Sequence, residues 1–238
     1  MAAGFHIPYV AFFGRTFHEC LEMFALRRED LAHTTTLDCP SGPDSFVAEA
    51  CAEGLSVTGC DPMFALSPAE LATQARKNID DCFAAIDQQG SSLTFRNYAQ
   101  FRQAKYDALT RFLEDFRSHR ERYVFAKLPV LPFTDRSFDR VCAANFLFSY
   151  AHRSNGGLYD GHEFDLAFHL RSVEEITRVA RSEIRISPMG SFDPPPRPHA
   201  FRDPVRARLE ELGWQTELIP STYDSGLAGF NDVLVARR

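Results

Sequence analysis

Residues 34–61 constrain the fold more than any other stretch, because they read as strand, tight turn, helix and strand within fewer than 30 residues. Thr34 to Leu37 are β-branched or apolar and run into an acid, Asp38. Pro40, Gly42 and Pro43 then punctuate a turn. Asp44 and Ser45 are helix N-cap residue types, and Phe46, Val47, Ala50 and Cys51 supply the inner face of a short helix. Gly54 ends that helix, and Leu55 to Cys60 form a second strand that stops at Asp61. Such a unit is one half of a nucleotide-binding α/β sheet, and it sets acids at two neighbouring strand tips, where these sheets hold ligands.

The turn restricts the ligand. Dinucleotide folds keep it glycine-rich so that backbone approaches a pyrophosphate resting on the helix N-terminus. Here the three glycine positions hold Pro40, Gly42 and Asp44. A carboxylate at the start of a helix suits the helix dipole but repels phosphate. A nucleoside bearing positive charge in place of phosphate is accepted, and S-adenosylmethionine has that make-up. Asp61, 23 residues after Asp38, is placed to accept hydrogen bonds from ribose hydroxyls.

A second stretch, Leu131-Pro-Phe-Thr-Asp-Arg-Ser-Phe-Asp139-Arg-Val-Cys, is similar to the LPF-x-D-x-SFD-x-V segment of class I S-adenosylmethionine-dependent methyltransferases. It most resembles the small-molecule branch typified by ubiquinone and menaquinone biosynthesis enzymes. The resemblance covers roughly residues 34–188, and 201–238 match more loosely. It implies a Rossmann-like α/β fold: a mostly parallel seven-stranded sheet, an antiparallel last strand, helices on both faces and an extra helical insertion after the second strand. It also implies S-adenosylmethionine as cofactor, contacted by Asp38, Cys39, Pro40, Ser41, Gly42, Ser45, Asp61, Pro62, Met63, Leu128, Asn145 and Phe146.

The chain of 238 residues, 45% hydrophobic, is long enough for one sizeable core. We expect a single domain over 1–238, with an N-terminal helical segment at 1–33 and a helical insertion or lid at 90–121. Net charge is −6, and the basic runs Arg117–Arg122 and Arg202–Arg208 read as solvated faces, so nucleic acid is a poor partner. The six cysteines show no C-x-x-C and no metal spacing, so no metal is expected, and a reducing, cytoplasmic setting follows. Residues 1–13 are apolar but too short to span a bilayer, so no membrane partner or signal peptide is expected.

Along the chain, Gly14–Leu31 reads as an amphipathic helix ahead of the first strand. Ser67-Pro68-Ala69-Glu70 is a capping box opening a helix that Gly90-Ser-Ser breaks. Tyr98–Arg120 follows as the insertion, either a lid or a helix packed on the sheet edge. Tyr123–Leu128 reads as a third strand, with Leu128, Leu131 and Phe133 bordering adenine, and a fourth begins at Val141 and ends near Asn145. Glu163–Ala180 is a helix, Ser182–Pro188 a fifth strand, and the proline-rich 189–200 stretch shapes the substrate entrance. Asp203-Pro204 opens a last helix before strands at Gln215–Pro220 and Asn231–Ala236.

Methyl transfer from a sulfonium needs positioning first, and a general base only for a protonated acceptor. The candidates are His152, in the loop after the fourth strand, and His169, with Asp165 one helical turn before it. Each has a plainer reading, as a surface loop residue or a satisfied core histidine. Phe148, Tyr150 and Asp165 are candidate contacts for a small-molecule acceptor. Two other readings compete with methyl transfer: a nicotinamide-dependent oxidoreductase, and a non-catalytic descendant of the fold that binds a partner.

Overall fold

The computed structural model describes residues 8–89, 94–193, 195–227 and 232–238. The expected break at Gly90-Ser-Ser, Pro194, the first seven residues and the start of the last strand at Asn231 lie outside them. Thirteen elements matter here: α1 (Phe17–Phe24), β1 (Thr35–Asp38), α2 (Phe46–Ala52), β2 (Ser56–Asp61), α3 (Pro68–Gln89), α4 (Tyr98–Ser118), β3 (Tyr123–Phe125), β4 (Phe138–Ala144), α5 (Leu166–Val179), β5 (Ala180–Ser187), α6 (Arg202–Glu211), β6 (Gln215–Pro220) and β7 (Asp232–Arg237).

The strands form one seven-stranded sheet in the order β3-β2-β1-β4-β5-β7-β6. The pairs among β1 to β5 are parallel, and β7 is antiparallel to both β5 and β6. The expected mostly parallel Rossmann-like sheet with an antiparallel last strand is the observed one. The chain reverses direction across the sheet between β1 and β4, which leaves a crevice at their carboxyl ends.

Each face carries its own core. Phe17, Phe24, Phe46, Val57, Phe112 and Val235 pack beneath α1 to α4, whereas Leu37, Val141, Val173, Ile184, Val205 and Trp214 pack beneath α5 and α6. The central strands are buried mainly toward their carboxyl ends, where Leu37, Cys60, Val141 to Ala144 and Ile184 to Ile186 face the two cores or the cavity. Arg185 ties α1 down: its guanidinium donates to the carbonyls of Phe24 (2.7 Å) and Ala25 (2.9 Å) at the helix C-terminus. The chain leading into α1 is thereby held against the crevice.

Several boundaries differ from the sequence reading; the N-terminal helix expected over Gly14–Leu31 spans only Phe17–Phe24, because Ala25 turns into left-handed backbone (φ 50°). β3 stops at Phe125 and not at Leu128, because the chain turns back, with Val130 N–H donating to the Lys127 carbonyl at 3.0 Å. β4 ends at Ala144, since Asn145 (φ 48°) and Phe148 (φ 68°) adopt left-handed backbone that no strand continues through. α5 starts at Leu166 and not Glu163, because Asp165 caps it, accepting from Phe168 N–H at 2.7 Å. The Ser67–Glu70 capping box forms as expected, with bonds of 2.9 and 3.3 Å.

The helix at Tyr98–Ser118 does two things at once. Its second half buries Phe112 and Phe116 against Phe64 and Tyr123, with ring centroids 5.2–5.7 Å apart, which closes the β3 edge. Its first half crosses above the strand tips, where Phe101 packs on Phe83 of α3. Between the two, Lys105 is fully buried and donates to Glu19 of α1 at 2.5 Å. Its ammonium lies 4.4 Å from the centre of the Phe101 ring. Burial pushes this lysine down to about 8, against the pull of Glu19. The pair links α4 to α1 across the crevice. Lys105→Ala strands the Glu19 carboxylate, and we expect it to cost about 3–5 kcal/mol in a urea titration.

Candidate functional site

A cavity of about 400 Å³ opens at the carboxyl ends of β1, β2 and β4, within the size range of small-molecule sites. Its floor is the turn after β1. Ser41 N–H donates to the Cys60 carbonyl (2.9 Å), and Gly42 N–H donates to Asp61 Oδ2 (3.0 Å). Met63 N–H completes the carboxylate by donating to Oδ1 at 2.8 Å. Asp61 is therefore fixed by two backbone amides, one from its own strand end and one from the neighbouring turn. A carboxylate accepts about four hydrogen bonds, so capacity remains on each oxygen. Burial raises Asp61 to about 6, with the two amides working against the rise.

Asp44 opens α2 at the edge of the same floor. It does not cap the helix: Oδ1 accepts from the backbone N–H of Arg15, and Oδ2 lies 3.6 Å from the Cys20 thiol. Gly14 makes this possible, since a Cβ there would sit 2.2 Å from the Pro43 carbonyl oxygen. The segment before α1 thus lies directly on the turn. Burial pushes Asp44 up to about 7, opposed by Arg15. Asp44 occupies the place where a glycine-lined turn would leave room for phosphate.

The walls and roof are aromatic. Phe12 and Phe13 come from the N-terminal segment, Tyr150 and Phe164 from the stretch after β4, and Phe101 and Tyr223 from α4 and the β6–β7 connection. The roof segments are bound to one another: Thr94 N–H donates to the Gly226 carbonyl (2.8 Å) and Arg96 N–H to Asp224 (2.7 Å). Tyr150 OH accepts from Ala11 N–H at 2.9 Å, pinning the other side.

Of the expected cofactor contacts, the structure brings Cys39, Pro40, Ser41, Gly42, Asp61, Pro62, Met63, Leu128, Asn145 and Phe146 to the cavity wall, and Tyr150 of the acceptor contacts joins them. Asp38 is not on the wall. It is fully buried beneath the turn, and burial, with the Asp44 charge beside it, raises it well above the usual carboxylate range, the Ser41 side chain working against the rise. It supports the floor from beneath. Ser45 also points away, its hydroxyl bonded to Glu49.

The histidines are corrected too. His169 Nδ1 donates to the Asp165 carbonyl (2.7 Å) and Nε2 accepts from Phe148 N–H (2.9 Å), so both nitrogens are occupied. Burial lowers it further and keeps it neutral. It holds the left-handed turn at Phe148, which is itself buried against His169 and His199 and absent from the wall. His152 stacks on His162 (4.1 Å) in an outer loop and accepts from Ser154 N–H at 3.1 Å. Asp165 is spent on capping α5. Leu131 and Phe133 pack in the second core, not on the wall. Among the described residues, no histidine lines the cavity and no group of metal-binding side chains occurs.

Sequence reading missed Arg15, Phe12, Phe13, Phe192 and Tyr223. The Phe12-Phe13 doublet, too apolar for a surface and too short for a span, was the available signal. Tyr223 and Phe192 lie in connections without periodicity and gave none.

No known protein-family profile matches the chain. It is 28% identical over 235 residues to an uncharacterized protein of Methanocaldococcus jannaschii, covering 94% of this chain and 95% of that one. Among solved structures it is similar to a magnesium protoporphyrin IX methyltransferase of Synechocystis with bound S-adenosylhomocysteine. There the identity is 12% and the TM-score 0.49, over 93% of this chain and 84% of that one. It is also similar to a 1,6-didemethyltoxoflavin N1-methyltransferase of Burkholderia thailandensis, at 18% identity and TM-score 0.43, over 92% and 78% of the two chains. At these identities the chemistry is read from the residues of the cavity. No helix among the described residues is long and apolar enough to cross a membrane.

Two outcomes follow. His169→Ala leaves the buried Phe148 N–H unpaired, and we expect a loss of about 1–3 kcal/mol in chemical denaturation. Gly42 has φ 60° and open cavity space where a side chain would point. Gly42→Val should both strain the turn and fill the floor, abolishing nucleoside binding by calorimetry while circular dichroism stays native.

Proposed function

We propose that this protein transfers a methyl group from S-adenosylmethionine to a small-molecule acceptor held among the aromatic rings of the cavity. One observation carries the reading: a floor that presents a fixed, hydrogen-bonded carboxylate, Asp61, and a second acid, Asp44, where a dinucleotide's phosphates would rest. That pair of acceptors suits ribose hydroxyls and positive charge, and it repels a diphosphate. The LPF-x-D-x-SFD-x-V resemblance and the seven-stranded sheet order support the same reading.

In this reading Asp61 accepts from the ribose, Leu128, Asn145 and Phe146 border the base, and the phenylalanine-rich roof holds the acceptor. The bound cofactor would supply an electrophilic methyl on a sulfonium. The protein's contribution is placement: aligning a nucleophile about 3 Å from the methyl carbon and excluding water accounts for roughly 7–11 kcal/mol of the barrier. The wall tyrosines are held protonated by burial, which raises both Tyr150 and Tyr223. They serve as hydrogen-bond donors and not as bases. The cavity accordingly favours an acceptor that arrives already nucleophilic. The small-molecule character of the acceptor, and the helical insertion acting as its lid, are parts of this proposal.

S-adenosylhomocysteine should raise the melting temperature in a concentration-dependent way, while NADPH leaves it unchanged. Asp61→Ala should bind S-adenosylhomocysteine at least tenfold more weakly. Because an ionised Asp61 accepts more strongly than a protonated one and burial sets it at about 6, wild-type affinity should fall below that pH, by up to about tenfold at pH 5. Stabilisation by NADPH alone, or equal affinity for the Asp61→Ala protein, would overturn the assignment.

A further inference from the structure

The aromatic part of the wall contains one polar group that the cofactor reading leaves unused. Phe148 adopts left-handed backbone (φ 68°), held there as its N–H donates to His169, and the two residues after it line the cavity. Tyr150 spends its hydroxyl oxygen on Ala11 N–H. Ser149 spends nothing. Its main chain is satisfied, the N–H donating to the Leu147 carbonyl (2.8 Å) and the carbonyl accepting from Leu158 N–H (2.7 Å). The residue is 2% exposed, yet Oγ has no hydrogen-bond partner among the described residues. A hydroxyl buried in this way is costly unless a ligand meets it.

The wall that shares this stretch is built of rings and carries no formal charge. Phe146 lies between Tyr150 and Phe164, with centroids 5.1–6.2 Å apart, and Phe101 lies between Phe13 and Phe95 at 4.4–6.5 Å. The charged side chains of the cavity are placed elsewhere. Asp61 and Asp44 belong to the floor, and Arg15 is matched there by the Asp44 charge and the Tyr223 hydroxyl. Lys127 is exposed beside Leu128. An ionised guest among the rings would give up its hydration without meeting a counter-charge. An aromatic guest would meet ring faces and edges that favour offset or edge-on contact.

We propose that the methyl acceptor is an uncharged aromatic ring compound bearing a hydrogen-bonding polar atom, and that Ser149 is the positioning residue that engages this atom. The proposal rests on the cofactor reading above and names the class of molecule that fills the rest of the cavity. A serine hydroxyl both donates and accepts, so it can meet a carbonyl-type oxygen, a ring nitrogen or a hydroxyl on the guest. Apolar packing alone leaves a flat guest free to rotate among the rings. One directional contact fixes its orientation, which an in-line transfer requires. An uncharged guest also agrees with a wall whose tyrosines remain protonated and in which no histidine takes part.

The test uses probes that share one ring skeleton and differ in polarity: naphthalene, 1-naphthol, 1-naphthoate and 1-naphthylmethylammonium, with decahydro-1-naphthol as the saturated counterpart. Each is titrated calorimetrically into protein saturated with S-adenosylhomocysteine. The neutral aromatic alcohol should bind tightest, and the anion and the cation about tenfold more weakly or worse. Ser149→Ala should weaken 1-naphthol by about three- to tenfold, the range for a neutral hydrogen bond, and leave naphthalene unchanged. Its melting temperature should not fall, because no protein partner is lost. A charged or saturated probe that binds as tightly as 1-naphthol would overturn the acceptor class. An unchanged ratio of 1-naphthol to naphthalene affinity in Ser149→Ala would overturn the role of Ser149, and no binding of 1-naphthol would overturn both. None of these results touches the cofactor reading, which fails only if S-adenosylhomocysteine itself does not bind the wild type.

Discussion

A carboxylate standing at the head of α2 is the constraint to which the rest of the site conforms. Asp44 is buried where backbone alone would normally meet a ligand, and an isolated buried acid is costly unless something answers it. The answer comes from the N-terminal segment, which lies against the turn at Gly14 and offers the Arg15 N–H. That segment is held in turn by α1, whose C-terminal carbonyls are satisfied by Arg185 from β5. The stretch before β1 therefore forms part of the cavity wall and is not merely a cover for the sheet. The Lys105–Glu19 pair extends the same arrangement to α4.

Three acids, Asp38, Asp44 and Asp61, lie close together beneath one cavity, and burial raises all of them. They differ in hydrogen bonding. Asp61 has two amides, Asp44 has one amide and a nearby guanidinium, and Asp38 has only the Ser41 side chain beside it. The same burial therefore meets a different set of hydrogen-bond donors at each acid of the floor.

Much of the fold was legible because residues 34–61 encode it locally: β-branched residues, turn formers and cap types agree on one answer, and the acids at 38 and 61 mark the strand tips. The Ser67–Glu70 box and the apolar stripe of α3 were readable for the same reason. Legibility failed where a polar side chain had two possible partners. His169 and Asp165 share a helical face in either role, and only the fold shows that Phe148, turned into left-handed backbone, takes the histidine's second nitrogen. Asp38 reads as a strand-tip ligand because alternation along a four-residue strand does not reveal which tip residue faces outward. Arg15 was hidden by distance, since its partner lies 29 positions away and meets it through a main-chain amide.

The hydrogen bond from Thr94 to Gly226 joins two connections that are far apart in sequence and both lie over the cavity. Where a guest passes beneath this seam, such contacts part, a partial opening that need not involve the sheet. Residence time would then be governed by this seam and affinity by the floor, two quantities set by different parts of the chain and free to evolve independently.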